Sequence, residues 1–311
     1  MATFMKQSRI KGFIVISTIY IIASAIGVIV FLVLPDIHIF WRILAADIVA
    51  TIFVYLTGVI LKNASVYDPY WSVAPIVIFT GTALYSHKID PGVLLLLIAT
   101  WYWGVRLTAN WAYTFKNLDT QDWRYDSFKE KYPRMFQIIS FFGINLFPTI
   151  VVYLCMLPGI VLIWENSWKF CFEPGGSIIG GSIFYPNIVT ILGFVICLSA
   201  ATIQLVADIQ MHRFRHRNAG KRLIIRDGLW KHSRHPNYMG EILMWWGVYI
   251  MMLSSAPMMW FLGIGPLVNT LMFIFISIPM ADKRNRRERV GFDEYVRETN
   301  MLLPIKIKKI N

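Results

Sequence analysis

The chain has 311 residues, 56% of them hydrophobic and 15% charged, with a mean hydropathy of +0.54 and a net charge of +12. A soluble domain carries far more charge than this, so the composition excludes a water-soluble class and implies a membrane one. About 20 apolar residues span a bilayer as a helix, and the expected fold is therefore all-α: a polytopic transmembrane helical bundle of about eight spans.

In chain order the apolar runs cover residues 12–34, 40–61, 71–86, 91–113, 138–163, 187–207, 239–256 and 258–279. The run from Gly12 is too long for a signal-peptide core and lacks a small-residue cleavage pattern, so it reads as a retained first span. With the N-terminus in the cytosol, eight spans return the C-terminus there, and 26 of the 30 Lys and Arg residues fall on the cytosolic side. Every loop then obeys the positive-inside rule. The basic charge accordingly reads as topology, and the expected contact is the lipid bilayer, with no nucleic-acid partner.

Between the runs, residues 114–137 carry Asp122-Trp123-Arg124-Tyr125 and Tyr132-Pro133, too aromatic for a disordered linker. Residues 165–186 hold Pro174-Gly175-Gly176 and Gly180-Gly181 and are expected to be flexible. The basic stretch 208–238 ends in Ser233-Arg234-His235-Pro236-Asn237-Tyr238-Met239-Gly240-Glu241. The tail from 280 has Phe292, Tyr295 and Leu302-Leu303-Pro304 spaced to pack back on the membrane domain. It closes on Lys308-Lys309-Ile310-Asn311, a dilysine pattern that returns membrane proteins to the endoplasmic reticulum. A basic tail that simply clings to an anionic leaflet is the alternative. The expected location is the endoplasmic reticulum in a eukaryote and the inner membrane in a bacterium. Cys155, Cys171 and Cys197 show no metal spacing and no disulfide framework, and His232 and His235 lack a third ligand, so no metal is expected.

Ionisable residues inside spans are costly and draw functional suspicion by default. Those here are Asp47, Asp68, Arg106, Asp208 and Glu241. All but Asp47, which stays unassigned, fall toward the cytosolic half, where they are expected to share one cavity. Asp68 precedes Pro69 and reads either as a helix cap or as a carboxylic acid kept protonated by desolvation. Arg106 either snorkels to the interface or lines the cavity, with Tyr102 one turn deeper as a second donor. Asp208 closes the sixth span, with Arg215 seven residues on; the pair reads as a ligand-orienting set or as a helix-end salt bridge. Pro236 marks a helix start whose free N–H groups favour a phosphate. Asn237 and Glu241 share a face there, and the plainer reading is capping plus a structural Glu paired with a loop arginine.

Asp208-x-Gln210-x-x-x-Phe214, Gly228-Leu229-Trp230, the 233–241 stretch and Trp245-Trp246-Gly247 together resemble the steroid 5-alpha-reductase C-terminal family, in its DUF1295 branch. Tyr67-Asp68-Pro69-Tyr70-Trp71-Ser72, Asp122-Trp123-Arg124-Tyr125 and Phe292-x-x-Tyr295 to Leu303-Pro304 are similar to it as well. The likeness runs from about residue 67 to 304, leaving 1–66 as N-terminal helices outside it and 305–311 as a basic tail. It implies NADPH at the cytosolic side and hydride delivery to an enone in a membrane lipid or sterol-like substrate. It places Asp68 and Tyr102 as catalytic, the second with a one-residue uncertainty that would put Trp103 at that position. It assigns Arg106, Asp208, Arg215, Arg234, His235, Asn237, Tyr238 and Glu241 to the cofactor. Asp68 is one methylene shorter than the family's Glu, which loosens the tie to steroids. The Arg-His-Pro-x-Tyr-x-Gly portion also resembles isoprenylcysteine and phospholipid methyltransferases, whose usual Glu-Glu pair is reduced here to Glu288. Three readings therefore stand: an NADPH-dependent lipid reductase, an S-adenosylmethionine-dependent methyltransferase, and a non-catalytic membrane protein that keeps the fold.

Overall fold

The structure, a computed structural model, describes residues 8–164 and 184–303. Its helices are, in chain order, α1 (Arg9–Leu32), α2 (Ile39–Leu61), α3 (Tyr70–Tyr85), α4 (Pro91–Thr114), α5 (Trp123–Lys131), α6 (Phe136–Trp164), α7 (Ile188–Arg217), α8 (Pro236–Leu253), α9 (Pro257–Glu288) and α10 (Phe292–Glu298). Among the described residues every regular element is helical, and one isolated parallel bridge joins Ser233 to Asn300. Six of the helices, α1, α2, α4, α6, α7 and α9, are long and apolar enough to cross a membrane. The chain is an integral membrane protein of all-helical fold. The third and seventh expected spans are the shorter helices α3 and α8, of 16 and 18 residues. Cys171, the glycine-rich stretch around Pro174 and Gly180, Pro304, and the terminal Lys308 and Lys309 lie outside the described residues. Cys155 and Cys197 are buried free thiols.

The helices fall into two compact units, the first of residues 1–89 and 104–164, the second of 90–103 and 165–311. In the first, α1 and α2 pack on each other around Ile16, Ile19, Ala23, Ala50 and Val54, and Tyr67 and Tyr70 complete this core. Lys62 ends α2 in a left-handed conformation, φ 54°, so that its N–H returns to the carbonyls of Gly58 and Val59. Asn63 then turns the chain: its side-chain oxygen accepts from Ser65 N at 2.8 Å and its Nδ2 donates to Leu118 O at 2.6 Å. α3 lies on α6, where Gly159 leaves room for the Phe79 ring; a Cβ there would stand 2.4 Å from Cζ. α6 carries a π-helical segment, Ser140–Leu146, in which Asn145 Nδ2 donates to Ser140 O at 2.8 Å. Such a segment frees a carbonyl, and Thr149 Oγ1 donates to Asn145 O at 3.0 Å.

In the second unit α7 and α8 pack along a seam of small residues. Gly193 faces the Gly247 carbonyl and Gly240 the Ala200 carbonyl, each so near that a Cβ would clash. In lipid, where apolar contact offers no preference for protein over solvent, close backbone approach of this kind holds helices together. α7 runs ten residues past its apolar run, through Arg213 and Arg215 to Arg217. Asp208 therefore sits inside a helix rather than at its end, and the first basic residues of the expected loop are the helix's last turns. α9 likewise continues to Glu288. After α7 the chain turns at Gly228, φ 57°, against the Gln210 amide, whose Oε1 accepts from Leu229 N at 3.0 Å. Trp230 Nε1 donates to Ala207 O at 3.1 Å, and the Tyr295 hydroxyl donates to Trp230 O. Phe292 and Tyr295 are buried, as their spacing predicted.

Candidate functional site

The 233–241 stretch folds as an extended approach to α8, and nearly every polar group in it has an internal partner. Arg234 N donates to Asn300 O at 2.9 Å, and Arg234 NH1 donates to Thr299 O at 2.6 Å. Arg234 NH2 and His235 Nε2 both reach the buried Asp282, at 3.2 and 2.9 Å. The His235 ring stacks on Tyr238 with centroids 5.2 Å apart and planes at 3°, and Tyr238 meets Phe273 at 4.9 Å. Arg234, His235 and Tyr238 are thus fastened to α9 and to the segment after α10. Asp282 was missed in the sequence. Its signal was there: one acid directly before Lys283, Arg284, Arg286 and Arg287.

Glu241, buried at 5% exposure, is bonded in another way. Its Oε2 accepts from Trp103 Nε1 and from Gln204 Nε2, both at 2.8 Å, and its Oε1 accepts from Trp245 Nε1 at 3.0 Å. The two indoles meet edge to face at 5.2 Å. Neutral donors from three helices satisfy both oxygens, so the loop-arginine pairing weighed from the sequence is replaced by a donor cage. Trp103, the alternative to Tyr102 in the family register, is a member of that cage. Tyr102 turns to α7, where its hydroxyl pairs with Thr202 Oγ1 at 3.1 Å.

Asn237 stands apart from its neighbours. Pro236 opens α8, His235 in the N-cap position supplies no side-chain cap, and Asn237 Oδ1 is buried without a hydrogen-bond partner. A buried carbonyl oxygen left unbonded costs about 1–3 kcal/mol, so this atom, one turn before Glu241 at an uncapped helix start, is shaped for a donor from elsewhere. Arg215, on α7, has Arg284 of α9 and Arg289 just after α9 near enough to repel it, and Asp208 near enough to attract it. Arg284 also pairs with Glu288 at 2.9 Å and Arg289 NH1 reaches the Lys221 and Leu223 carbonyls, so the group offers an anion a positive field rather than three open forks.

The first unit holds Asp68 and Arg106. Asp68 closes the 3₁₀ turn Ala64–Tyr67, and the side chain does not cap α3, whose N-cap residue is Pro69. The capping reading of Asp68 is corrected accordingly. Instead the carboxyl accepts from the Tyr125 hydroxyl at 2.6 Å. Burial pushes the Asp68 carboxyl up to about 6; the bond from Tyr125 opposes the shift, the charge of Asp122 adds to it, and Arg124 opposes it. Tyr125 is itself raised, by burial and then by Asp68. Arg106, in the second half of α4, is buried. Asp47, left unassigned from the sequence, is a buried carboxyl that accepts from Tyr70 Oη at 2.8 Å.

The family described as "Protein of unknown function (DUF1295)" matches residues 54–299. The chain belongs to the DUF1295 family. The match opens in the last turns of α2, thirteen residues before the expected start at residue 67, and leaves residues 1–53 outside it. No curated protein and no solved structure matches the chain.

Proposed function

We propose that this DUF1295 protein is a membrane-embedded reductase that uses NADPH to saturate an enone-type double bond in a lipid or sterol-like substrate. The observation that carries the reading is the unpartnered Asn237 Oδ1 at the uncapped start of α8. Along the 233–241 stretch it is the buried side-chain acceptor left open, and Arg234 Nε is the buried donor left open. The residues fit the cofactor: a lone acceptor suits an amide or hydroxyl donor, and free N–H groups at a helix start suit phosphate. The Arg215, Arg284 and Arg289 group suits a further phosphate. The resemblance to steroid 5-alpha-reductases supports the same reading.

Asn237, Arg215 and the start of α8 would hold the cofactor, which when bound supplies hydride. Glu241 would act as a positioning residue, fixing α8 through Trp103, Gln204 and Trp245 rather than touching a ligand. Asp68 would donate a hydrogen bond to the substrate carbonyl oxygen, because its raised pKa keeps a proton on it up to about pH 6. A donor preorganised on an oxygen that gains charge is typically worth about 10²–10³ in rate. Tyr102 would be a second donor, exchanging its bond to Thr202 for one to substrate. The excess of Lys and Arg in residues 208–238 and after 280 would place the start of α8 on the cytosolic side. The location would then be the endoplasmic reticulum in a eukaryote or the inner membrane in a bacterium.

The test is purification of the full chain in mild detergent, followed by analysis of what co-purifies. Nicotinamide absorbance and a thermal shift with NADPH support the reductase. Adenosylmethionine in the preparation, with a thermal shift from it and none from NADPH, replaces it with a methyltransferase. No shift from either leaves a non-catalytic protein.

A further inference from the structure

A cavity of about 320 Å3 opens in the first unit, where the last turn of α2, the last turn of α5 and the first turn of α6 meet. Val54, Val59 and Phe136 give it an apolar wall, while Lys62, Lys129 and Gln137 are among its polar groups, with Asn63, Ser140 and Asn145 beside them. None of its lining residues is acidic. Among the described residues neither lysine forms an ion pair; Lys129 stands 6.0 Å from the Phe136 ring centroid. Gln137 Oε1 accepts from Tyr55 Oη at 3.3 Å, which leaves the amide N–H groups as its remaining capacity. The residue before α6, Met135, supplies no side-chain cap, so the first N–H groups of α6 add to the donor side. Two ammoniums, an amide donor and a helix start form a set of donors that matches an oxyanion.

The apolar wall and the depth of the cavity say what carries that anion. α2 and α6 are both long and apolar enough to cross a membrane, and the cavity lies where one ends and the other begins. That is the level of lipid headgroups. Val54 and Val59 line the cavity from α2 itself, Val54 about two turns into the apolar helix from Lys62. Lys62 is held at the mouth by its left-handed backbone, a conformation a non-glycine residue adopts uncommonly. We infer that this cavity is a binding site for an anionic phospholipid, with the phosphate between Lys62 and Lys129 and the acyl chain on Val54 and Val59. None of the proposed cofactor residues lines the cavity, and the inference does not depend on them.

Native mass spectrometry of the full chain in detergent tests the inference, with palmitoyl-oleoyl phosphatidylglycerol and the phosphatidylcholine of the same chains as probes. The expected result is one phosphatidylglycerol retained about tenfold better than phosphatidylcholine, with the preference abolished in Lys62→Gln/Lys129→Gln. Headgroup-level lysines contribute enough for a change of that size. Both lysines are exposed, so the variant's melting temperature should stay near wild type. If it does not, Gln137→Glu sets a carboxylate in the mouth with both lysines intact, and should lose the lipid equally. A preference that survives these changes overturns the site. Millimolar inorganic phosphate that displaces the lipid completely overturns the lipid assignment, since the seat would then take a free anion without an acyl chain.

Discussion

Glu241 in the second unit and Asp68 in the first are both carboxyls held by aromatic donors, but they differ in how many donors they have and what kind. Glu241 receives two indole N–H groups and an amide, which occupy both of its oxygens. Asp68 receives hydroxyl bonds instead, from Tyr125 at 2.6 Å and from Ser65, with charged Asp122 and Arg124 nearby pulling in opposite directions. A carboxylate saturated by neutral donors fixes geometry, because moving it would break three buried bonds at once. A carboxyl held by hydroxyls alone, with a raised pKa, can take up and release a proton. Burial alone is therefore a poor guide to chemistry in this protein, and the kind of donor, indole and amide N–H against hydroxyl, separates the positioning acid from the candidate proton donor.

The comparison breaks first, and by the largest amount, at Glu241. Glu241→Ala takes the acceptor from the Trp103 and Trp245 indoles, while Gln204 Nε2 keeps the Asn237 carbonyl at 3.3 Å; at about 1–3 kcal/mol for each indole, a loss of at least about 2 kcal/mol is expected. Thermal unfolding in detergent, followed by tryptophan emission, reads both the loss and the changed surroundings of Trp103 and Trp245. A melting temperature equal to wild type would show the cage to be dispensable.

A smaller effect is expected at Asp68. Its folded pKa, about 6, lies above the ordinary value of 3.8, so the folded state holds the proton more tightly. The resulting stabilisation is fully present below about pH 4 and is lost as pH rises through 6. Wild type should therefore lose stability relative to Asp68→Asn, by about 2 kcal/mol, between pH 4 and 7. A difference that stays flat across that range would show that the carboxyl does not titrate there.

The smallest change sharpens the same point. Tyr125→Phe removes the bond that opposes the upward shift. The midpoint of the Asp68-dependent transition should move above 6, and stability should fall by about 1 kcal/mol. Repeating the pH series on this variant checks both, and a midpoint that moves down would invert the role given to Tyr125.

The membrane class and the order of the helices were legible in the sequence because apolar length is a direct physical requirement of the bilayer. Helix ends were less legible. α7 and α9 continue ten and nine residues past their apolar runs, since backbone hydrogen bonding does not stop where hydropathy does. α5 went unmarked because its residues, Trp123–Lys131, are mostly polar; Asp122 Oδ1, accepting from Arg124 N at 2.9 Å, starts it. In the site, Pro236 at a helix start and Asn237 beside it followed from local rules. The partners of Glu241 did not, because Trp103 and Gln204 are 138 and 37 residues away in sequence and only the fold brings them near. Asp282 was hidden for the same reason, its partners Arg234 and His235 lying 48 and 47 residues upstream.

The central claim is that the start of α8 holds NADPH through Asn237. Titrating NADPH into the purified wild type and into Asn237→Ala, with bound cofactor read by its fluorescence, tests it most directly. Asn237 Oδ1 has no internal partner, so its removal should leave the melting temperature near wild type. The account predicts saturable binding to wild type and about tenfold weaker binding to the variant, the size of one lost hydrogen bond. Equal affinities for the two proteins, or no binding to either, would contradict it.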